Sequence, residues 1–182
     1  MTTLHIALIR GVNVGGKSML AMADLRAACE KLKLKNPRTL MQSGNLVVES
    51  PESTAEVEDR LERGIRKQLG RELEFFVRSP KEWDAIIKAN PFPKEAKNDP
   101  GHLHVLCLKD KVTPAAVKVL RGKIVGREYI EGRPRELYAV YPDGAGQSKF
   151  TTAVIDRTLD TRCTARNWNT VLKLAAMAKG VR

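Results

Sequence analysis

The chain has 182 residues, 42% of them hydrophobic and 5% aromatic, with 32 Lys and Arg against 21 Asp and Glu and a formal charge of +11. That length suits one domain or two small halves, the apolar share is enough to bury a core, and no apolar run reaches the roughly 18–20 residues that span a bilayer. The charge is uneven: residues 1–100 carry 17 basic against 14 acidic side chains, and residues 101–182 carry 15 against 7.

Leu4–Ile9 is an apolar run of strand length. Met22, Leu25, Cys29 and Leu32 recur at helical spacing, which predicts a helix over about Ala21–Leu32. Arg38–Gln42 and Leu46–Glu49 read as two strands joined around Ser43-Gly44-Asn45, a connection short enough to demand an antiparallel hairpin. Ser53-Thr54-Ala55-Glu56 is a capping box before a second helix with Val57, Leu61, Ile65 and Leu69 as its inner stripe. Leu73–Val77 is a fourth strand. The order β-α-β-β-α-β is the ferredoxin-like arrangement.

The second half echoes the first. Ser79-Pro80-Lys81-Glu82 is another capping box, and Trp83, Ile86 and Ile87 give that helix an apolar side. Asn90–Gly101 reads as a Pro-, Asn- and Lys-rich loop. His102–Leu108 is a strand, Thr113-Pro114 opens a helix through Leu120, and Tyr129–Glu131 and Glu136–Tyr141 are strands around Gly132-Arg133-Pro134. Ser148 is expected to cap a helix through Leu159, and Thr164 a last helix through Ala178. The expectation is an α+β protein of two ferredoxin-like halves with mostly antiparallel sheets, residues 1–78 and 79–182, the second carrying an extra C-terminal helix where a fourth strand would be.

Gly11–Ser18 satisfies G-x-x-x-x-G-K-[ST], the phosphate-cradling loop of nucleoside triphosphatases. That loop belongs to a parallel sheet of alternating strands and helices, and the hairpin through Asn45 breaks the alternation. The match is read as accidental, a glycine-rich turn after the first strand. Arg10, Asn13, Gly15, Gly16 and Lys17 nevertheless offer a guanidinium, an amide, an ammonium and glycine amides, which suit an oxyanion. Gln42 and Asn45 of the hairpin are further candidates, although turn chemistry alone explains Asn45.

Five motifs then occur in order: RGVNVGG at Arg10–Gly16, MADLR at Met22–Arg26, QSGN at Gln42–Asn45, GQSKF at Gly146–Phe150 and TARNWNT at Thr164–Thr170. With them the chain resembles the bacterial domain-of-unknown-function family numbered 1697 along essentially its whole length. The resemblance implies two ferredoxin-like subdomains and brings no activity with it. At position 18, where that family often has asparagine, this chain has serine, which again makes the GKS triplet accidental.

On a helical wheel started at Arg166, Asn169, Thr170 and Lys173 share its side while Trp168, Val171, Leu172, Ala175 and Ala178 lie opposite, so Arg166, Asn169 and Lys173 are expected to form one basic and amide face. Lys149 adds charge. Ser148 beside Lys149 invites a nucleophile with its base, but adjacent helical residues point about 100° apart. His102 and His104 would share a strand face with no third ligand nearby, and no cofactor or metal is expected.

The leading expectation is a module that binds a phosphate-bearing ligand or nucleic acid. Arg10, Asn13, Gly15, Gly16, Lys17, Gln42, Asn45, Lys149, Arg166, Asn169 and Lys173 would supply the contacts. The alternatives are a small-molecule enzyme acting on a phosphorylated metabolite or nucleotide in a cleft between the halves, and a protein-interaction module using a sheet edge. Catalytic residues and oligomeric state stay open. Cys29, Cys107 and Cys163 form no C-x-x-C pair, and the first residues lack a signal-peptide pattern, so a cytoplasmic, non-membrane protein is expected.

Overall fold

A computed structural model describes residues 2–12 and 19–180. Compactness divides the chain into a first unit, Met1–Ala85 with Leu174–Arg182, and a second, Ile86–Lys173.

In the first unit, strand β1 (Thr3–Ile9) leads to helix α1 (Met22–Lys31), the hairpin β2 (Lys35–Leu40) and β3 (Asn45–Ser50), helix α2 (Thr54–Leu69) and strand β4 (Phe75–Arg78). The sheet order is β2-β3-β1-β4, and every neighbouring pair is antiparallel. Directly opposed residues of antiparallel strands share a face, so Ala7, Leu46 and Val77 lie together in the core with Leu25 and Cys29 of α1 and Val57, Leu61 and Ile65 of α2. The opposite face, with Ile6, Leu8, Val47 and Phe76, is buried as well. Burial pushes the Cys29 thiol up to about 12, so it behaves as a core hydrophobe. The capping box forms as spelled: the Ser53 hydroxyl accepts the Glu56 N–H and the Glu56 carboxylate accepts the Ser53 N–H. Gly70, at φ 63°, ends α2 in the left-handed conformation that suits glycine.

Helix α3 (Pro80–Lys88) carries the second capping box, with the Glu82 carboxylate accepting from the Ser79 N–H at 2.7 Å. The expected loop over 90–101 contains a short helix, α4 (Pro93–Asn98), started by a proline whose missing N–H costs nothing at a first helical position.

The second unit repeats the plan: β5 (Leu103–Leu108), α5 (Pro114–Arg121), β6 (Tyr129–Gly132), β7 (Glu136–Val140), a 3-10 turn (Ala145–Gln147), α6 (Thr152–Leu159) and β8 (Cys163–Asn167); α7 (Trp168–Ala178) follows, and its residues from Leu174 on count with the first unit. Its sheet order, β6-β7-β5-β8, matches the first sheet position for position and is again antiparallel throughout. Leu106, Leu137 and Ala165 share the face packed on α5 and α6.

The expected class, α+β with two ferredoxin-like halves, is what the chain adopts. Antiparallel partners on both sides of β1 overturn any parallel triphosphatase core. Two local expectations are corrected. Residues 163–167 form the fourth strand rather than the start of a helix: Cys163 and Thr164 pair with Leu108 and Cys107, and burial against β5 outweighs local helical periodicity. The helix begins only at Trp168, where the Asn167 side-chain oxygen accepts the Thr170 N–H at 3.0 Å. Nor does Ser148 cap α6. Thr151 does, accepting from the Val154 N–H.

Candidate functional site

The first unit gathers two of the sequence motifs at one end of its sheet. β1 runs out at Ile9 beside the β2–β3 turn, and the Ile9 N–H donates to the Gly44 carbonyl at 2.7 Å. The Arg10 N–H donates to the Glu74 carbonyl at 3.0 Å, and the Arg10 guanidinium stands 3.8 Å from the Glu74 carboxylate. Gly44 has φ +71°, and a Cβ there would lie 2.4 Å from a Val12 methyl and 2.8 Å from the Ile9 Cβ. The turn therefore presses on residues 9–12 closely enough to require glycine.

Asn45 is buried, and its amide donates to the Leu40 carbonyl at 3.1 Å and the Ser43 hydroxyl at 2.8 Å. It holds the turn in shape. Gln42 and Ser43 are exposed at the turn's tip. Arg10 and Gln42 are thus brought to the same sheet end. Asn13, Gly15, Gly16 and Lys17 lie outside the described residues.

In the second unit the register places the start of β5, the end of β7 and the end of β8 together: His104 faces both Ala139 and Asn167. The loop that follows β7 carries Lys149, which is exposed. The loop is tied down on both sides. The Ser148 hydroxyl donates to the Glu128 carboxylate and accepts the Phe150 N–H at 2.9 Å, and the Tyr141 hydroxyl donates to the Phe150 carbonyl at 3.3 Å. Ser148 therefore serves its loop rather than Lys149.

Arg166 sits on β8 opposite Val105. Its guanidinium donates to the Thr164 hydroxyl at 2.9 Å and the Ala165 carbonyl at 2.7 Å, and burial pulls its pKa down to about 10, which leaves it charged at neutral pH. Because Arg166 belongs to a strand, the helical-wheel face with Asn169 and Lys173 does not exist as drawn. Those two lie on α7, four residues apart and exposed.

Three pairings at this end carried no spacing signal. The Asp99 carboxylate meets His102 Nδ1 at 2.7 Å, Glu128 holds Ser148, and Arg127 forks onto the Asp143 carboxylate and holds it below the usual carboxylate range. Glu128 with Ser148 and Arg127 with Asp143 join segments 20 and 16 residues apart that the tertiary fold brings together, whereas Asp99 and His102 meet across a local turn. His104 stacks edge-on against Tyr141 with ring centres 5.2 Å apart, and burial lowers its pKa. Among the described residues no group of three or more His, Cys, Asp or Glu side chains could hold a metal ion, and no helix is long and apolar enough to cross a membrane. The exposed donors among the candidate residues are the Gln42 amide in the first unit and Lys149, Asn169 and Lys173 in the second, while the Arg10 and Arg166 guanidinia already have partners.

A family described as "Protein of unknown function (DUF1697)" matches residues 1–138, which takes in the motifs at 10–16, 22–26 and 42–45 and leaves those at 146–150 and 164–170 beyond it. A solved structure of a conserved bacterial protein, SP0830 from Streptococcus pneumoniae, is similar over 98% of this chain and 99% of its own, with a TM-score of 0.76 and 22% identity, a likeness of fold. A putative chlorite dismutase, TA0507, aligns over 97% of this chain and 99% of its own at a TM-score of 0.27 and 11% identity, too low to carry an argument. No curated protein matches.

Proposed function

The chain belongs to the DUF1697 family, and on that premise we propose that it is a binding protein for a phosphate-bearing ligand, free or as part of a nucleic acid. The observation that carries this reading is the approach of residues 9–12 to the Gln42–Asn45 turn, with the Ile9 N–H on the Gly44 carbonyl at 2.7 Å. It brings the segment that carries the Arg10 guanidinium against the turn that carries the exposed Gln42 and Ser43 side chains, and guanidinium and amide donors suit phosphate oxygens.

Within the second unit by itself, Lys149, Arg166, Asn169 and Lys173 are the donors this reading assigns to such a ligand, and residues 86–173 carry 16 basic against 9 acidic side chains. A positive surplus of that size raises the local concentration of polyanions. The three free, buried cysteines support a reducing cytoplasm as the place of action.

The test is a pair of titrations on the full chain. A thermal-shift series with nucleotides and sugar phosphates reads small ligands, and a mixed DNA and RNA pool across a salt series reads nucleic acid. Binding that Arg10→Ala and Gln42→Ala each weaken supports the reading. Absence of binding to every phosphate-bearing probe at low salt removes it, and turnover of a bound probe replaces it with the enzyme alternative.

A further inference from the structure

A separate feature lies at the other end of the second sheet, where β5 leaves for α5 and the β6–β7 hairpin turns. A slot of about 200 Å³ opens between the first turns of α5 and that hairpin. Its apolar walls are Val112, Pro114, Val117 and Pro134, and its polar mouth is formed by Arg121, Glu131 and Arg133. None of its lining residues belongs to the five sequence motifs.

The slot is preformed. The Val112 N–H donates to the Pro134 carbonyl at 2.7 Å on one side, and Arg121 Nε donates to the Ile130 carbonyl at 3.2 Å on the other. Between these ties the hairpin backbone lies directly on the helix: a Cβ at Gly132 would meet a Val117 methyl at 2.6 Å. Two prolines fix the backbone dihedral at opposite walls. A ligand entering here would order little that is not already ordered, which removes much of the usual cost of binding.

The charges at the mouth differ in availability. Arg121 is committed to the Glu131 carboxylate at 2.8 Å, so that pair is neutral. Arg133 is exposed, and among the described residues its guanidinium makes one hydrogen bond, to its neighbour's Gly132 carbonyl at 3.1 Å, and no ion pair. Four of its five N–H donors remain to face an acceptor. The start of α5 offers no substitute anion site, because Pro114 lacks an N–H and the Thr113 hydroxyl already accepts from the Ala116 N–H.

We propose that this slot binds a small organic anion, a compact apolar body of about one ring bearing a carboxylate or phosphate that pairs with Arg133. The size follows from the volume, since a dry protein cavity of about 150 Å³ accommodates benzene. The apolar walls exclude a bare inorganic ion as the best occupant, because it would leave them wet. A stacked nucleobase is disfavoured because no aromatic side chain lines the slot. This site is independent of the phosphate-binding reading given above.

The experiment is a titration of the 15N-labelled full chain followed by amide chemical shifts, with benzoate, phenyl phosphate, neutral benzamide and inorganic phosphate as probes. The expected result is saturable shifts at residues 113–117 and 131–133 with benzoate or phenyl phosphate, the better of the two naming the anionic group. Benzamide and inorganic phosphate should bind at least about fivefold more weakly, and Arg133→Ala should weaken the anionic probes about fivefold while leaving benzamide unchanged. Arg133 is exposed, so this variant keeps the fold. The proposal is overturned if no probe gives saturable shifts at these residues up to about 20 mM, a concentration that covers single-ring fragments. It is equally overturned if benzamide binds as well as benzoate, or if Arg133→Ala changes nothing. Shifts confined to residues 9–12 and 42–45 would also sink it while favouring the phosphate-binding reading.

Discussion

The Glu58 carboxylate accepts the backbone N–H of Val77 at 2.8 Å, from a helix onto the outer edge of a strand. One turn further along α2, the Glu62 carboxylate accepts the Phe75 N–H at 2.9 Å. β4 is an edge strand whose inner side pairs with β1. Its outward N–H groups, which would otherwise template another strand, are taken by the chain's own helix. The i, i+4 spacing of the two glutamates matches the two-residue repeat of β4, and sheet-edge docking at β4 is closed.

Removing these acceptors should therefore cost stability and solubility together. Glu58→Ala and Glu62→Ala are each expected to destabilise the chain by about 1–2 kcal/mol, because each leaves an edge N–H without its charge-assisted partner. The double variant should also self-associate at high concentration. Glu58→Gln keeps an acceptor oxygen and should lose less. Urea unfolding gives the first effect, and sedimentation across a concentration series gives the second.

Gly44 and Gly11 both have positive φ, +71° and +61°, yet they predict different costs. At Gly11 nothing lies within 4 Å of an added Cβ, so Gly11→Ala should cost only the left-handed backbone penalty, about 1 kcal/mol. At Gly44 the methyl collides with Val12 and Ile9 in addition, and Gly44→Ala should cost about 2–4 kcal/mol. Comparing the two unfolding midpoints isolates the contact between the hairpin turn and residues 9–12. Equal losses would mean that the turn does not press on that segment.

Much of this architecture was legible in the sequence because it rests on local chemistry. The capping boxes at Ser53 and Ser79, the glycine turn at 44 and the helical stripe of α2 are each spelled within a few residues. What was illegible depends on partners far along the chain. Residues 163–167 become a strand because β5 has an open edge, a fact that no window around Thr164 contains. Ser148 is held by Glu128, 20 residues earlier, and so loses its expected capping role to Thr151. In the candidate site, the meeting of Arg10 with the Gln42 turn follows from strand order, whereas the pairing of Arg127 with Asp143 spans 16 residues and two strands.

Acid should weaken the fold through two buried imidazoles. His5 is 2% exposed, and burial lowers its pKa despite the Ser50 carbonyl and the charges of Glu52 and Glu82, which oppose the shift. His104, in the other unit, shifts the same way, also through burial. In each case the folded pKa lies below the ordinary value of about 6.5, so the unfolded chain takes up the proton first as pH falls. The stabilising contribution is complete above about 6.5 and declines below it. Tm measured between pH 7.5 and 5.5 should therefore fall with acidification, and His104→Phe, which keeps an aromatic ring beside Tyr141, should reduce the slope. A Tm that rises on acidification contradicts the sign.

Arg166 distinguishes a structural cation from a ligand-binding one. Its guanidinium is partly desolvated on β8 and hydrogen-bonded to Thr164 and Ala165, and burial lowers its pKa. Carrying a charge there has a desolvation cost, so Arg166→Met should change stability by no more than about 1 kcal/mol, in either direction. A phosphate-bearing ligand would need the planar fork, which Lys does not reproduce. Arg166→Lys should then keep the fold and weaken that ligand about tenfold, the loss of one well-made charge-assisted contact. Urea midpoints and ligand titrations on the same two variants separate the outcomes. A large stability loss in Arg166→Met with unchanged ligand affinity would make Arg166 a structural residue of β8 and remove it from the binding surface.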